Sequence, residues 1–177
     1  EANPEFLTQL TMALNQGMVW KRPILGQLID LNLFHQMWTL KILQTLASET
    51  QNYPAWSDND RSIVSLLTVG QTRALLLGDL ETPGEMELLR QADLGPVEIL
   101  KVGHHGAKTS TSEALLEEIN PKLALISVGK TNSYGHPAAE TLKKLMNHGA
   151  MVLSTADIGD ISLRLDGQKY WLPTQKH

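Results

Sequence analysis

The sequence contains no cysteine. That excludes disulfide frameworks, cysteine-based zinc sites and thiolate nucleophiles together. No window reaches the ~18 uninterrupted apolar residues of a membrane-spanning helix. No stretch has the charge and apolar order of a signal peptide. Positive charge is not in excess either: 15 Lys and Arg stand against 19 Asp and Glu, for a formal net charge of -4. A surface with that balance does not grip nucleic acid by bulk electrostatics, so any phosphate contact must be local, through a metal or a small basic pocket. Internal repeats, low-complexity tracts and obvious linkers are absent too. The chain opens on Glu1 without a methionine, which points to a processed chain or an excised domain.

What is present is 177 residues, enough for one domain with a substantial core and too few for two ordinary ones. Residues 4–16 carry Phe6, Leu7, Leu10 and Leu14 at helical spacing, with Gly17 as a stop. MVWK, GQLIDLN and WTLKILQT read as strands, followed by a polar loop, ETQNYPAWSDND, anchored by Tyr53 and Trp56. RSIVSLLTV and TRALLLGD flank Gly70-Gln71 as a β-hairpin. Strand and helix then alternate. ETPGEMELLRQA is a helix begun at Pro83, VEILKV a strand, and TSTSEALLEEI a helix whose Ser110-x-x-Glu113 spacing reads as a capping box. KLALISV is a strand, PAAETLKKLMNHG a helix between Pro137 and Gly149, and MVLST, DISLRL and KYWL close the chain as strands.

Three of these units end alike. LLLGD puts Asp79 at the end of an apolar strand, ILKVGHHG does the same for His104 and His105, and LISVGKTNSYGHP sets His136 before a helix. In one sheet with helices packed on it, all of them gather along one edge, where ligands of open α/β sheets bind. Carboxylate and imidazole are the expected ligands of Zn²⁺ or Mn²⁺ where thiolate is lacking. A Gly-Asp after a strand is by itself most often a turn, and an isolated Gly-His-Pro says less. Two adjacent histidines between glycines, in matching strand-to-helix contexts, favour a site. In an extended segment the two would face opposite ways, one into the site and the other held by a second hydrogen bond or packed beneath. His35 reads as a core or edge histidine, His148 sits at a helix C-terminus where it favours the dipole, and His177 is terminal; none of the three is given a chemical role.

The motifs NDRSIVSLLTVGQTRALLLGDLE, VEILKVGHHGAKTSTSEALLE, PKLALISVGKTNSYGHP and STADIGDISL, taken in order, resemble the metallo-β-lactamase-fold domain of the ComEC competence proteins, from about Trp38 to about Leu165. The resemblance implies an α+β fold, a metallo-β-lactamase-like αββα sandwich of two mixed sheets with helices outside. Residues 1–177 would form the C-terminal two-thirds of such a domain, without its first strands. It further implies a metal-dependent phosphodiester hydrolase using two divalent ions, zinc or manganese, and no small organic cofactor. Asp79 would bridge the metals and His136 would be the last histidine ligand. His104 and His105 would bind and polarise the scissile phosphate, although one of them is open to metal ligation instead. Lys108 and Ser110 would hold phosphate oxygens, and Asn132 and Tyr134 would line the entrance. The implied substrate is a DNA strand degraded during uptake, and the implied setting is a bacterial cytoplasmic membrane protein with this domain on the extracytoplasmic side, joined to the channel portion of the same parent.

One departure stands against that pattern. Enzymes of this superfamily take most metal ligands from an upstream His-x-His-x-Asp-His motif, and the first histidine here is His35. Either the N-terminal part of the domain is missing or the domain is degenerate and binds no metal; the first is the favoured expectation. On either reading the isolated chain is expected to be inactive or nearly so. Two rival functions remain open at this stage: an esterase for small phosphodiesters of the phosphocholine type, and a non-catalytic domain supporting DNA uptake.

Overall fold

The computed structural model describes residues 24–31, 38–44 and 57–172. The helix expected at 4–16, the strand at 18–21, the loop anchors Tyr53 and Trp56, and His35 and His177 lie outside the described residues.

Strands β1 (Leu28–Asp30), β2 (Trp38–Gln44), β3 (Val64–Val69) and β4 (Thr72–Leu76) pair antiparallel in chain order. Strands β5 (Ile99–Lys101), β6 (Leu123–Ile126) and β7 (Met151–Ser154) then continue the sheet parallel to β4. The result is one mixed sheet of seven strands standing in sequence order. A separate ribbon joins β8 (Arg164–Leu165) to β9 (Tyr170–Trp171). The hairpin expected across Gly70-Gln71 is there, and Gln71 N–H donates to the Gly167 carbonyl at 2.6 Å, tying the ribbon to that turn.

Each parallel step is bridged by a helix: α1 (Thr82–Gln91), α2 (Glu113–Ile119) and α3 (Ala139–Asn147), with a last turn, α4 (Thr155–Ile158), after β7. Parallel crossovers are right-handed almost without exception, so three steps in one direction put all three helices on one face. The core shows this. Leu88 of α1, Leu115, Leu116 and Ile119 of α2 and Leu145 of α3 pack with Leu75, Leu100 and Ile126 of the sheet. On the opposite face Ala74, Ile99 and Leu123 lie under Leu163, Leu165 and Tyr170 around the ribbon. The central strands are therefore apolar on both faces, which is why ALLL and LALI read as continuous apolar runs. The fold is α+β with a mixed sheet, as expected. The described residues form one large sheet and a ribbon, and a second large facing sheet is not among them.

The start of α2 differs from the sequence expectation. Its N-cap is Ser112, whose hydroxyl accepts from Leu115 N–H at 3.3 Å, rather than Ser110. Ser110 is diverted because its hydroxyl is buried and donates to the Gly103 and Ala107 carbonyls. Helix α1 has a cap from elsewhere in the chain. The N-cap residue Glu81 makes no side-chain cap bond, and Asp60 instead accepts from Gly84 N–H at 3.0 Å and Glu81 N–H at 3.3 Å.

Glu85 couples α1 to α2. It is fully buried, and its carboxylate accepts Thr111 N–H at 2.5 Å and Ser112 N–H at 2.8 Å. Burial pushes its carboxyl above the ordinary range, against the pull of those bonds and of Lys144. A raised folded-state value means that the stabilising contribution is complete below the ordinary glutamate pKa and is lost as pH rises through the raised one. Glu85→Gln cannot ionise, so in urea denaturation its stability relative to wild type should improve as pH rises above the ordinary glutamate pKa. Glu85→Ala should cost about 2–4 kcal/mol at neutral pH, because two buried N–H groups lose their acceptor.

Candidate functional site

Leu76, Lys101 and Leu125 are register partners across β4, β5 and β6. The chain therefore leaves all three strands at one level. Asp79 follows the first, His104 and His105 the second, and Ser127 the third, before the loop that carries His136. The strand ends expected to converge do converge.

The histidine pair is not extended, which corrects the alternation expected from sequence. Gly103–Gly106 form a short 3-10 turn in the left-handed sense, with His104 at φ 44°, ψ 47° and His105 at φ 55°, ψ 22°. Such backbone costs a residue with a Cβ roughly 1–2 kcal/mol. It is held in place from several sides. His104 N–H donates to the Gly78 carbonyl at 3.1 Å, Ala107 N–H to the His104 carbonyl at 2.9 Å, and Ser110 Oγ to the Gly103 carbonyl at 2.9 Å. The flanking glycines have steric reasons to be glycine. A Cβ on Gly103 would lie 2.7 Å from the Leu80 carbonyl oxygen, and one on Gly106 would lie 2.8 Å from Pro137 Cβ at φ +78°. Because the turn curls, the two rings come to the same end of the sheet, their centroids 6.2 Å apart.

Both rings are held by Nδ1. His104 Nδ1 lies 3.2 Å from Glu81 Oε1, and His105 Nδ1 lies 2.6 Å from the Ser127 carbonyl. An ionised carboxylate and a carbonyl only accept, so each Nδ1 carries the proton and each Nε2 is left for other work. His105 Nε2 is 3.5 Å from Asp79 Oδ1. The His104 ring is edge-on to His136 at 5.6 Å, and Tyr134 stacks on His136 at 5.9 Å with 13° between the planes. Burial pushes the His136 imidazole down from its ordinary pKa, and the neighbouring His104 and His105 push the same way. A neutral ring with an available lone pair is favoured. Burial works to raise Glu81, but hydrogen bonds from Thr109, Ser57 and His104 outweigh it and hold the carboxyl below the usual range.

The other expected residues separate into two groups. Lys108 and Tyr134 are exposed beside the cluster, Tyr134 at 82%. Ser110 and Asn132 are engaged within the protein. Ser110 has no exposed surface, and Asn132 clamps the His136 loop, accepting from His136 N–H at 2.9 Å and donating to the His136 carbonyl at 2.8 Å. Sequence reading passed over Glu81 and Ser127. Glu81 had a signal, since it lies two residues beyond Asp79 at the same strand end, but it reads equally well as the first residue of a helix. Ser127 acts through its backbone carbonyl, which no side-chain pattern reveals.

Among the described residues, no group of three His, Asp or Glu side chains is disposed to hold a metal ion. No helix of the described residues is long and apolar enough to cross a membrane.

No family model matches the chain. Over 108 residues, 61% of its length, the chain is 41% identical to ComE operon protein 3 of Bacillus subtilis, covering 14% of that protein. It is 39% identical to Recombination protein 2 of Haemophilus influenzae over 105 residues, 59% of this chain and 13% of that one. It is 34% identical to Competence protein ComA of Neisseria gonorrhoeae over 99 residues, 55% of this chain and 14% of that one. This chain is a homologue of the ComEC competence proteins. It spans about a seventh of the length of these curated relatives.

The histidine turn generates a direct prediction. Gly106→Ala forces a Cβ into left-handed backbone against Pro137, at a cost of about 1–3 kcal/mol. Thermal unfolding should register the loss, and the ring signals of His104 and His136 should move in NMR spectra while those of the distant His148 stay put.

Proposed function

We propose that this chain forms one wall of a phosphodiester-hydrolysing site, on a metallo-β-lactamase-like domain of a ComEC-type DNA-uptake protein. The observation that carries the reading is the convergence of Asp79, His104, His105 and His136 at the ends of parallel strands, with both histidines of the pair held at Nδ1. The competence relatives support a role in DNA uptake. Single-stranded DNA is the substrate in this reading, and the domain sits on the extracytoplasmic side, joined to a membrane channel portion of the same protein.

Hydrolysis adds water to phosphorus, breaks one P–O ester bond and leaves an alkoxide in need of a proton. An imidazole held at Nδ1 suits both ends of that process. Neutral, its Nε2 accepts a proton from water; protonated, it hydrogen-bonds a phosphoryl oxygen or gives its proton to the leaving oxygen. Lys108 supplies a local positive charge on an otherwise acidic chain. Tyr134, largely exposed and stacked on His136, offers an aromatic face to a base of a single strand. Zinc or manganese belongs to the reading through the resemblance alone. Asp79 and His136 are the donors this chain contributes, and the rest must come from outside the described residues.

The test is cleavage of an end-labelled single-stranded oligonucleotide by the full-length protein carrying this domain, supplied with manganese or zinc. Asp79→Asn and His104→Ala should each lower the rate by roughly 100-fold or more, and the 177-residue chain alone should show no turnover. Cleavage of a small chromogenic diester without cleavage of the oligonucleotide would move the substrate to small esters. Cleavage of neither would leave a binding or supporting role.

A further inference from the structure

Glu81, besides holding His104 by Nδ1, ties together two separate segments, the loop at Ser57 and the turn and loop from His104 to Thr109. Its Oε1 lies 3.2 Å from His104 Nδ1 and accepts Thr109 Oγ1 at 2.5 Å, and its Oε2 is 3.0 Å from Ser57 Oγ. Ser57 is in turn tied to Asp60, its N–H at 3.1 Å and its hydroxyl at 3.0 Å from Oδ2. Asp60 also accepts the Glu81 N–H. The carboxylate is thus held by two hydroxyls, the N–H of the same residue is held by Asp60, and the side chain is 16% exposed. A surface glutamate beside a histidine would sample many rotamers. This one is fixed before any ligand arrives.

We infer that Glu81 is the positioning residue of the site: it sets the ring plane of His104 and its Nδ1–H tautomer, so that the Nε2 lone pair faces the space shared with His105 and His136. The inference deepens the phosphodiesterase reading and rests on it for its functional consequence. An imidazole without such a partner prefers the proton on Nε2, which would turn an N–H toward the shared space and bury the lone pair against Thr109 and Ser57. His105 needs no carboxylate, because the Ser127 carbonyl performs the same task at 2.6 Å. The two histidines are therefore held by different acceptors, one a side chain and one a backbone group. Only the first can be removed by substitution.

The experiment is imidazole ¹⁵N–¹H NMR on the 177-residue chain without metal, at a pH where the rings are neutral. In the wild type, His104 and His105 should both show the Nδ1–H tautomer. In Glu81→Ala, His104 should shift toward the Nε2–H form while His105 stays unchanged, an internal control for the fold. Glu81→Gln, which keeps an acceptor oxygen, should restore the wild-type tautomer. Wild-type His104 already in the Nε2–H form would overturn the inference without any variant, as would a Glu81→Ala spectrum in which His104 does not move. In the full-length protein, Glu81→Ala should lower kcat for oligonucleotide cleavage roughly 10- to 100-fold, with KM nearly unchanged and partial rescue by Glu81→Gln. A full-length wild type that cleaves nothing would sink the phosphodiesterase reading while leaving the tautomer result intact; the expected His104 tautomer shift with unchanged kcat in Glu81→Ala would sink the functional consequence alone.

Discussion

The left-handed turn at Gly103–Gly106 is the constraint on which the rest of this end of the molecule depends. Two successive non-glycine residues in that backbone cost roughly 2–4 kcal/mol together. Hydrogen bonds of about 0.5–1.5 kcal/mol each offset it: His104 to Gly78, Ala107 to His104, Ser110 to Gly103. The turn also receives Ala138 N–H on the Gly106 carbonyl at 2.9 Å and Thr141 Oγ1 on the Ala107 carbonyl at 2.9 Å. Two of those bonds are local to the turn and its exit, while Gly78 reaches it from beyond β4 and Ala138 and Thr141 from the start of α3. The strained turn is thus the meeting point of β4, β5 and α3, and strain of this kind persists where surrounding structure over-determines it.

The acidic balance of the chain acquires a meaning in that setting. Asp60 caps α1 from a distance, Glu85 holds the start of α2, and Glu81 bridges Ser57, His104 and Thr109. Three carboxylates serve as internal acceptors for loop N–H and hydroxyl groups that secondary structure leaves unpaired. They stitch helix α1 and its neighbours to the sheet edge, so the site is rigid although most of it is loop. A similar economy joins α3 to α2, where His148 Nε2 meets Glu113 Oε2 at 2.6 Å.

Homology to the competence proteins covers 55–61% of this chain, and those relatives are several times longer. The chain offers histidines, one aspartate and a fixed carboxylate on one side of a space. Among the described residues no full set of metal donors closes that space. A wall of this kind, organised in advance of its counterpart, needs buttressing from within its own segment, and Glu81, Asn132 and the Ser127 carbonyl provide it.

Much of the architecture was legible in the residues. Apolar runs bounded by Gly and Pro marked β3 to β7, because strands covered on both faces must be apolar throughout, and the strand-end placement of Asp79, His104 and His136 followed from chain order alone. Tertiary structure decided what sequence spacing cannot express. Ser110 looked like a helix cap and became a buried donor to carbonyls of the turn, which left Ser112 to cap α2. His104 and His105 looked as if they must diverge, but a turn stabilised by distant partners brought them together. Asn132, expected at the entrance, also clamps the His136 loop through both its amide atoms. Periodicity reports which face a side chain takes on a regular element. It is silent where the backbone is irregular and the acceptor is a carboxylate or carbonyl more than twenty residues away.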